Sequence, residues 1–305
     1  MQVREMNCDN GEIMRDRKKN RLRCTILIGI VMLGISIFGK AQSVYGMTGL
    51  LHAPTADMQR DKTFMFGGSF INENATPGKW RFNTYTYNTF NYYLNITILP
   101  WLEVGYNMVL NKGIPNSSYW PKQTWRKFSN QDRSFHFRLR LWKEGWWKLW
   151  TPQIVFGAND PATHDSYGGG NVLLNFSDDS GTNNYLTRWY LATTKHFAID
   201  GIGELGVHLA FNWGRAKLEP EYKLPSVGVN FQFRLSNDGV FIQKAINGLN
   251  LMAEVCPKPK NRQETREVVD VGLNYKLWKD YINLIAEMNE CKYFVGGIQF
   301  KVHFK

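Results

Sequence analysis

Between Ser226 and Leu235 the chain changes character at every residue. Val227, Val229, Phe231, Phe233 and Leu235 fall on one side of an extended strand, and Ser226, Gly228, Asn230, Gln232 and Arg234 fall on the other. Side chains of a strand point alternately to its two faces, so a period of two implies a ribbon with one apolar and one hydrated surface. The pattern recurs at Leu205, Val207, Leu209 and Phe211 against Glu204, Gly206 and His208, and at Val269, Val271, Leu273, Tyr275 and Leu277 against Asp270, Gly272, Asn274 and Lys276. Earlier in the chain, Phe135, Phe137, Leu139 and Leu141 oppose Ser134, His136, Arg138 and Arg140, while Phe90, Tyr92, Leu94, Ile96 and Ile98 oppose Asn91, Tyr93, Asn95 and Thr97.

Further extended segments are expected at 62–71, 102–110, 149–157, 185–196, 249–255, 281–289 and 293–304; the one around Pro152 is weakened by a missing backbone donor. The expectation is an all-β fold, an antiparallel transmembrane β-barrel of about twelve strands within a range of about 10–14. The connections give an independent indication. Counting back from a periplasmic C-terminus, the short intervals 278–281, 197–202, 143–149 and 99–101 share one side. The longer intervals 257–267, 214–225, 158–184, 112–132 and 72–83 share the other, the asymmetry of an outer-membrane barrel. Two intervals depart from it: 237–248 is long for its side and 290–293 is short. Trp101, Trp142, Trp146, Trp147, Trp150 and Trp278 lie near strand ends on the short-turn side, where an interfacial aromatic belt would place them. The soluble rival is a lipocalin-like or sandwich fold with the apolar face inward, and periodicity alone does not choose between the two.

The N-terminus reads as a secretory signal occupying residues 1–41. Arg15, Arg17, Lys18, Lys19, Arg21 and Arg23 precede the apolar run 26–38, and Gly39-Lys40-Ala41 supplies small residues for cleavage after Ala41. Met14 is an alternative true start. Removal takes away eight basic and four acidic residues, reducing the net charge from +11 to +7. The remaining basic residues are scattered rather than clustered, which argues against a nucleic-acid partner. Cys24 precedes the apolar run, so it does not read as a lipid-attachment cysteine, and Cys256 and Cys291 alone do not establish a disulfide. Residues 42–61, with the Gly- and Pro-containing stretch 46–58, read as a periplasmic lead or a short plug, and 62–305 as the barrel.

The hydrated faces carry Arg138, Arg140, Arg188, Glu204, Arg234, Asp270, Lys276 and Glu287, the candidate lumen-facing charges. In a narrow barrel they would pair and fill the interior; in a wider one they would line water. The long interval 158–184 holds Gly168-Gly169-Gly170 beside Asp160, His164, Asp165 and Tyr167. The plain reading is a flexible loop tip; the sharper one has the loop fold inward or contact saccharide, with Asp and Asn bonding sugar hydroxyls while Tyr167 stacks on a ring, and Asp160, His164 and Asp165 are the set that could instead hold a cation. Their spacing matches no specific metal motif, so neither a metal nor a cofactor is expected. Ser134 with His136, and Ser166 with His164, are the pairs a hydrolase reading would use, but no nucleophile–base–carboxylate set emerges and no catalytic residue is expected.

Several stretches resemble a known family. The segment 46–58, the stretch 91–96 followed by 99–106, Thr194-Lys195-His196-Phe197, 203–208 and the closing 300–304 are similar to blocks of the YjbH-type exopolysaccharide-biosynthesis outer-membrane proteins. The chain is similar to the short, single-barrel form found in Bacteroidetes and lacks the additional regions of longer relatives. The resemblance implies a non-enzymatic outer-membrane β-barrel of a Gram-negative cell envelope, involved in exopolysaccharide or capsule biosynthesis or export. The partners expected are outer-membrane lipid, polysaccharide, periplasmic or outer-membrane polysaccharide-assembly proteins, and barrel-insertion machinery that reads the final strand. The alternatives are a general porin-like solute channel and a lipid- or glycan-modifying hydrolase.

Overall fold

The computed structural model describes residues 43–75, 86–116, 120–159, 161, 188–216, 219–235, 241–259 and 265–304. The alternating segments become twelve strands: β1 (Thr63–Ile71), β2 (Thr89–Leu99), β3 (Leu102–Lys112), β4 (Phe128–Trp142), β5 (Gln153–Asn159), β6 (Arg188–Ile199), β7 (Gly203–Ala216), β8 (Glu219–Phe233), β9 (Leu249–Pro259), β10 (Thr265–Leu277), β11 (Ile282–Asn289) and β12 (Tyr293–His303). Each pairs antiparallel with its sequence neighbours, and β1 closes on β12 from Thr63↔His303 to Ile71↔Val295. An antiparallel meander closes on itself only with an even number of strands, and closure gives every strand a paired neighbour on each side.

The start of β1 and the end of β12 define one end of the barrel, the base; the opposite end is the crown. The base carries two-residue and three-residue links at 100–101 and 200–202 and a 3-10 turn at Trp278–Asp280. The exception foreseen at 237–248 is a real one: a short helix, α1 (Phe241–Asn247), occupies it, and Asn247 ties it back to the Leu235 backbone. At the crown the expected loop 214–225 is largely ladder, because β7 and β8 stay in register through Phe211↔Pro225 and on to Gly214↔Tyr222. The intervals 112–132 and 257–267 shrink likewise, as β4 begins at Phe128, β9 runs to Pro259 and β10 begins at Thr265.

The two faces of the wall are chemically opposite. Phe90, Leu94, Phe135, Leu191, Leu209, Phe211, Val227, Val229 and Val269 are exposed on the outside, whereas Asn91, Asn95, Ser134, His136, Arg138, His208, Asn212, Asn230 and Asp270 are buried within. The reversed, dry-cored arrangement of a lipocalin or sandwich is therefore not the one this chain adopts. Cys256 is buried and Cys291 exposed, both as free thiols, so the two do not form the disulfide their position near the crown left open.

Candidate functional site

The interior is filled by the chain's own segment 43–59, every residue of which is buried. A segment with few regular backbone bonds must satisfy its N–H and C=O groups elsewhere, and here the wall supplies partners strand by strand. The Glu254 carboxylate on β9 accepts from the backbone N–H groups of Leu51 (2.9 Å), His52 (2.7 Å) and Ala53 (3.0 Å). Glu103 on β3 accepts from the Thr48 N–H at 3.0 Å and its hydroxyl at 2.8 Å. Guanidinium groups take the opposite role. Arg138 on β4 donates to the carbonyls of Thr48, Thr55 and Asp57, and Arg188 on β6 donates to that of His52. Side-chain amides complete the seat: Asn91 donates to the Val44 carbonyl, Asn95 to Gly46 and Asn107 to Tyr45.

Apolar contacts lock the same segment sideways. Leu50, Leu51 and Ala53 cluster with Met252 and Cys256, Val44 and Tyr45 with Ile71, Ile285 and Val295, and Ala56 and Met58 with Val155, Tyr190, Ala192 and Ala210. Fully burying a leucine stabilises by about 2 kcal/mol, so these patches hold the segment as firmly as the polar bonds orient it. Two wall glycines make the room. A Cβ on Gly228 would lie 2.2 Å from Leu50 Cδ1, and one on Gly272 would lie 2.8 Å from Leu51 Cδ2. Inside the segment, Gly46 has φ +82° and backs directly onto the Tyr93 ring, a position no side chain would fit.

The expected lumen charges divide into two groups. Arg138, Arg188 and Glu287 bind the segment itself, Glu287 through a 2.6 Å contact with His52 Nε2, while Asp270 sits beside them, 2.7 Å from the Lys258 ammonium. Arg140, Glu204, Arg234 and Lys276 lie at the base instead: Arg140 donates to the Pro100 carbonyl, Arg234 pairs with Glu204 at 3.2 Å, and Lys276 donates to Gln232. Asp160, His164, Asp165 and Tyr167 lie outside the described residues, as does the proposed signal segment. Ser134 and His136 share the inner face of β4, with the His136 ring lying over Gly105.

Glu103, Glu254 and His52, which carry much of the binding, were not singled out from sequence. Glu254 is in phase with inward Asn250 and Met252, and Glu103 with inward Asn107; a carboxylate at mid-strand on the hydrated face is the signal that would have found them. His52, Asp270 and Glu287 bring ligand atoms within 4.8 Å of one another, a donor set suited to a divalent cation. Lys258 already places a positive charge at this point, so a cation there would have to displace its ammonium from Asp270.

At the base, the β4–β5 connection is a built turn. Gly145 has φ +75° and its N–H donates to the Thr151 carbonyl, while Glu144 is drawn against β6, 2.8 Å from Lys195 Nζ and 2.7 Å from His196 Nδ1. Burial works to raise the Glu144 pKa, but the hydrogen bonds from His196 and Lys195 outweigh it and hold it at about 2. With its carboxylate turned in, the turn shows Trp146, Trp147, Leu149, Trp150, Lys143 and Lys148 to the outside.

Fold and interior together define a class: a single-chain antiparallel barrel stoppered by its own N-terminal segment. Residues 41–240 match the family model YjbH, described as "Exopolysaccharide biosynthesis protein YbjH", and the chain belongs to that family. The match takes in the plug and β1 through β8. The chain is also similar to the "Uncharacterized lipoprotein YjbH" of Escherichia coli (strain K12), 28% identical over an alignment of 148 residues that covers 44% of this chain and 18% of that relative.

Proposed function

We propose that this chain is a non-enzymatic outer-membrane barrel that takes part in making or exporting an exopolysaccharide or capsule, with its lumen kept shut by the plug. The observation that carries the membrane part is the polarity of the wall, apolar and exposed outside, polar and buried inside. Such a surface is costly in water and stable in a bilayer, where closure also pairs each strand with a neighbour on both sides. Most strands match the 9–11 residues that a tilted transmembrane strand needs or exceed it. The tryptophan-bearing base then corresponds to the periplasmic side and the crown to the exterior. The family's description supports the polysaccharide part.

A strain lacking the gene, complemented by the intact chain, tests the role. Loss or shortening of surface polysaccharide that returns on complementation is expected. Unchanged amount, length and composition would remove the assignment. Flotation of the purified chain with liposomes tests the membrane part separately.

A further inference from the structure

One seam of the wall is only half laced. The β8–β9 ladder runs from Gln232↔Asn250 up to Val227↔Val255 and stops, although β8 continues to Glu219 and β9 to Pro259. Both strands stay paired to their other neighbours above that point, β8 through Phe211↔Pro225 and Gly214↔Tyr222, β9 through Cys256↔Val268 and Pro257↔Glu267. The reason is written in the sequence. Two positions beyond Val227↔Val255, the register would set Pro225 opposite Pro257, and neither has an N–H to donate. A proline stays in a ladder when its nitrogen faces away from the paired strand, so these two turn their missing donors toward each other. Behind the unlaced stretch, Ser226 and Cys256 are both buried.

The ground behind the seam is polar. Asn212 donates to Ser226 Oγ at 3.0 Å and to the Leu224 carbonyl, and Glu254 and Lys258 lie on the inward face of β9. On the outer face, Pro225 is exposed at the seam, Val227 is exposed at the last laced pair, and Val229 and Leu251 are exposed along the laced stretch below it. We propose that the upper β8–β9 seam is a lateral port through which a membrane-borne amphiphile brings its polar head into the lumen while its apolar chain stays in the bilayer. This rests on the membrane reading above. An added strand from another protein is the wrong occupant, because the facing prolines deny it a ladder. Leu50 of the plug, seated against Gly228 just below, stops the head from passing down the lumen.

The register also supplies the test. Ser226 would stand opposite Cys256, so in the mature chain expected after cleavage at Ala41, Ser226→Cys with Cys291→Ser leaves two thiols, positioned to staple the seam, cross-strand pairs at this spacing being within disulfide reach. The mature chain is placed in liposomes containing a phospholipid with a photoactivatable diazirine in its head group or, in parallel, one with the diazirine in its acyl chain, and adducts are mapped by peptide mass spectrometry. The Cys291→Ser chain and the reduced double variant should both acquire head-group adducts on inward residues such as Asn212 and Cys256 and acyl-chain adducts on outward Val227 and Val229. Oxidation should cut inward adducts about tenfold, as expected for closing an unlaced local opening, and leave outward ones unchanged; reduction should restore them. Adducts confined to outward residues, or inward adducts indifferent to the staple, would overturn the port while leaving the barrel in its membrane. Absence of adducts on either face, with no flotation, would remove the membrane reading and the port together.

Discussion

Arg138 and Glu103 stand 3.7 Å apart on neighbouring strands, yet each spends most of its bonding capacity on the plug. Arg138 holds three carbonyls and Glu103 a backbone N–H and a hydroxyl, so the pair reads the plug's backbone rather than neutralising the wall. Removing one member leaves the other charged and buried without its counter-charge, which typically costs about 3–5 kcal/mol. Arg138→Met should therefore make the plug far more accessible to protease than the wild-type plug, with the barrel's strand content intact by circular dichroism. The double variant Arg138→Met/Glu103→Gln should recover part of the loss, because no orphan charge remains; strict additivity of the two changes would contradict this coupling.

The plug's fit can be spoiled from the wall without touching a charge. Gly228 exists as the floor for Leu50. Gly228→Val should cost about 1–3 kcal/mol of plug seating through overpacking, while the extended strand conformation accepts valine readily. Hydrogen exchange at residues 43–59 should quicken while exchange in β1 and β12 stays slow. Gly68, whose neighbours are wall atoms only, is the control position on a different strand.

If the plug is what shuts the lumen, deleting 43–59 should turn a silent barrel into a conducting one in planar bilayers. The wall left behind carries Glu103, Glu254, Asp270 and Glu287 against Arg138, Arg188 and Lys258, a nearly balanced set that should give weak ion selectivity. A deletion variant that inserts and stays silent would mean that side chains alone close the interior.

The barrel was legible because its signal is local and repeated: a period of two needs only ten residues to declare itself, and it placed all twelve strands. What was misread lay where local rules conflict. The interval 214–225, which holds Pro220 and Pro225, was read as a loop, but the β7 ladder tolerates Pro225 because its absent donor faces β9. The plug's partners were hidden for another reason. Thr48 meets Glu103 across 55 residues, and Ala53 meets Glu254 across 201; pairings at that distance leave no mark on the intervening sequence. The charges read as lumen-facing were named by type and phase, which says where a side chain points and not that its partner is the chain's own backbone.

The β4–β5 turn offers a prediction with a definite pH window. Glu144 is held at about 2, below its ordinary 4.5, by His196 and Lys195 against the opposing effect of burial. A carboxyl whose folded pKa is depressed contributes its full stabilisation above the ordinary value, and that contribution fades as pH falls from 4.5 toward 2. The turn should accordingly stay docked on β6 at pH 5 and above and loosen progressively below it. Trp146, Trp147 and Trp150, exposed on this turn, report the change directly. Acrylamide quenching of their fluorescence should rise between pH 4.5 and 2 in the native chain, and Glu144→Gln should show the loosened level already at pH 7 with that pH dependence abolished. A variant that retains the acid transition would assign it to another carboxylate, Asp57 being the nearest candidate at 3.4 Å from His196 Nε2.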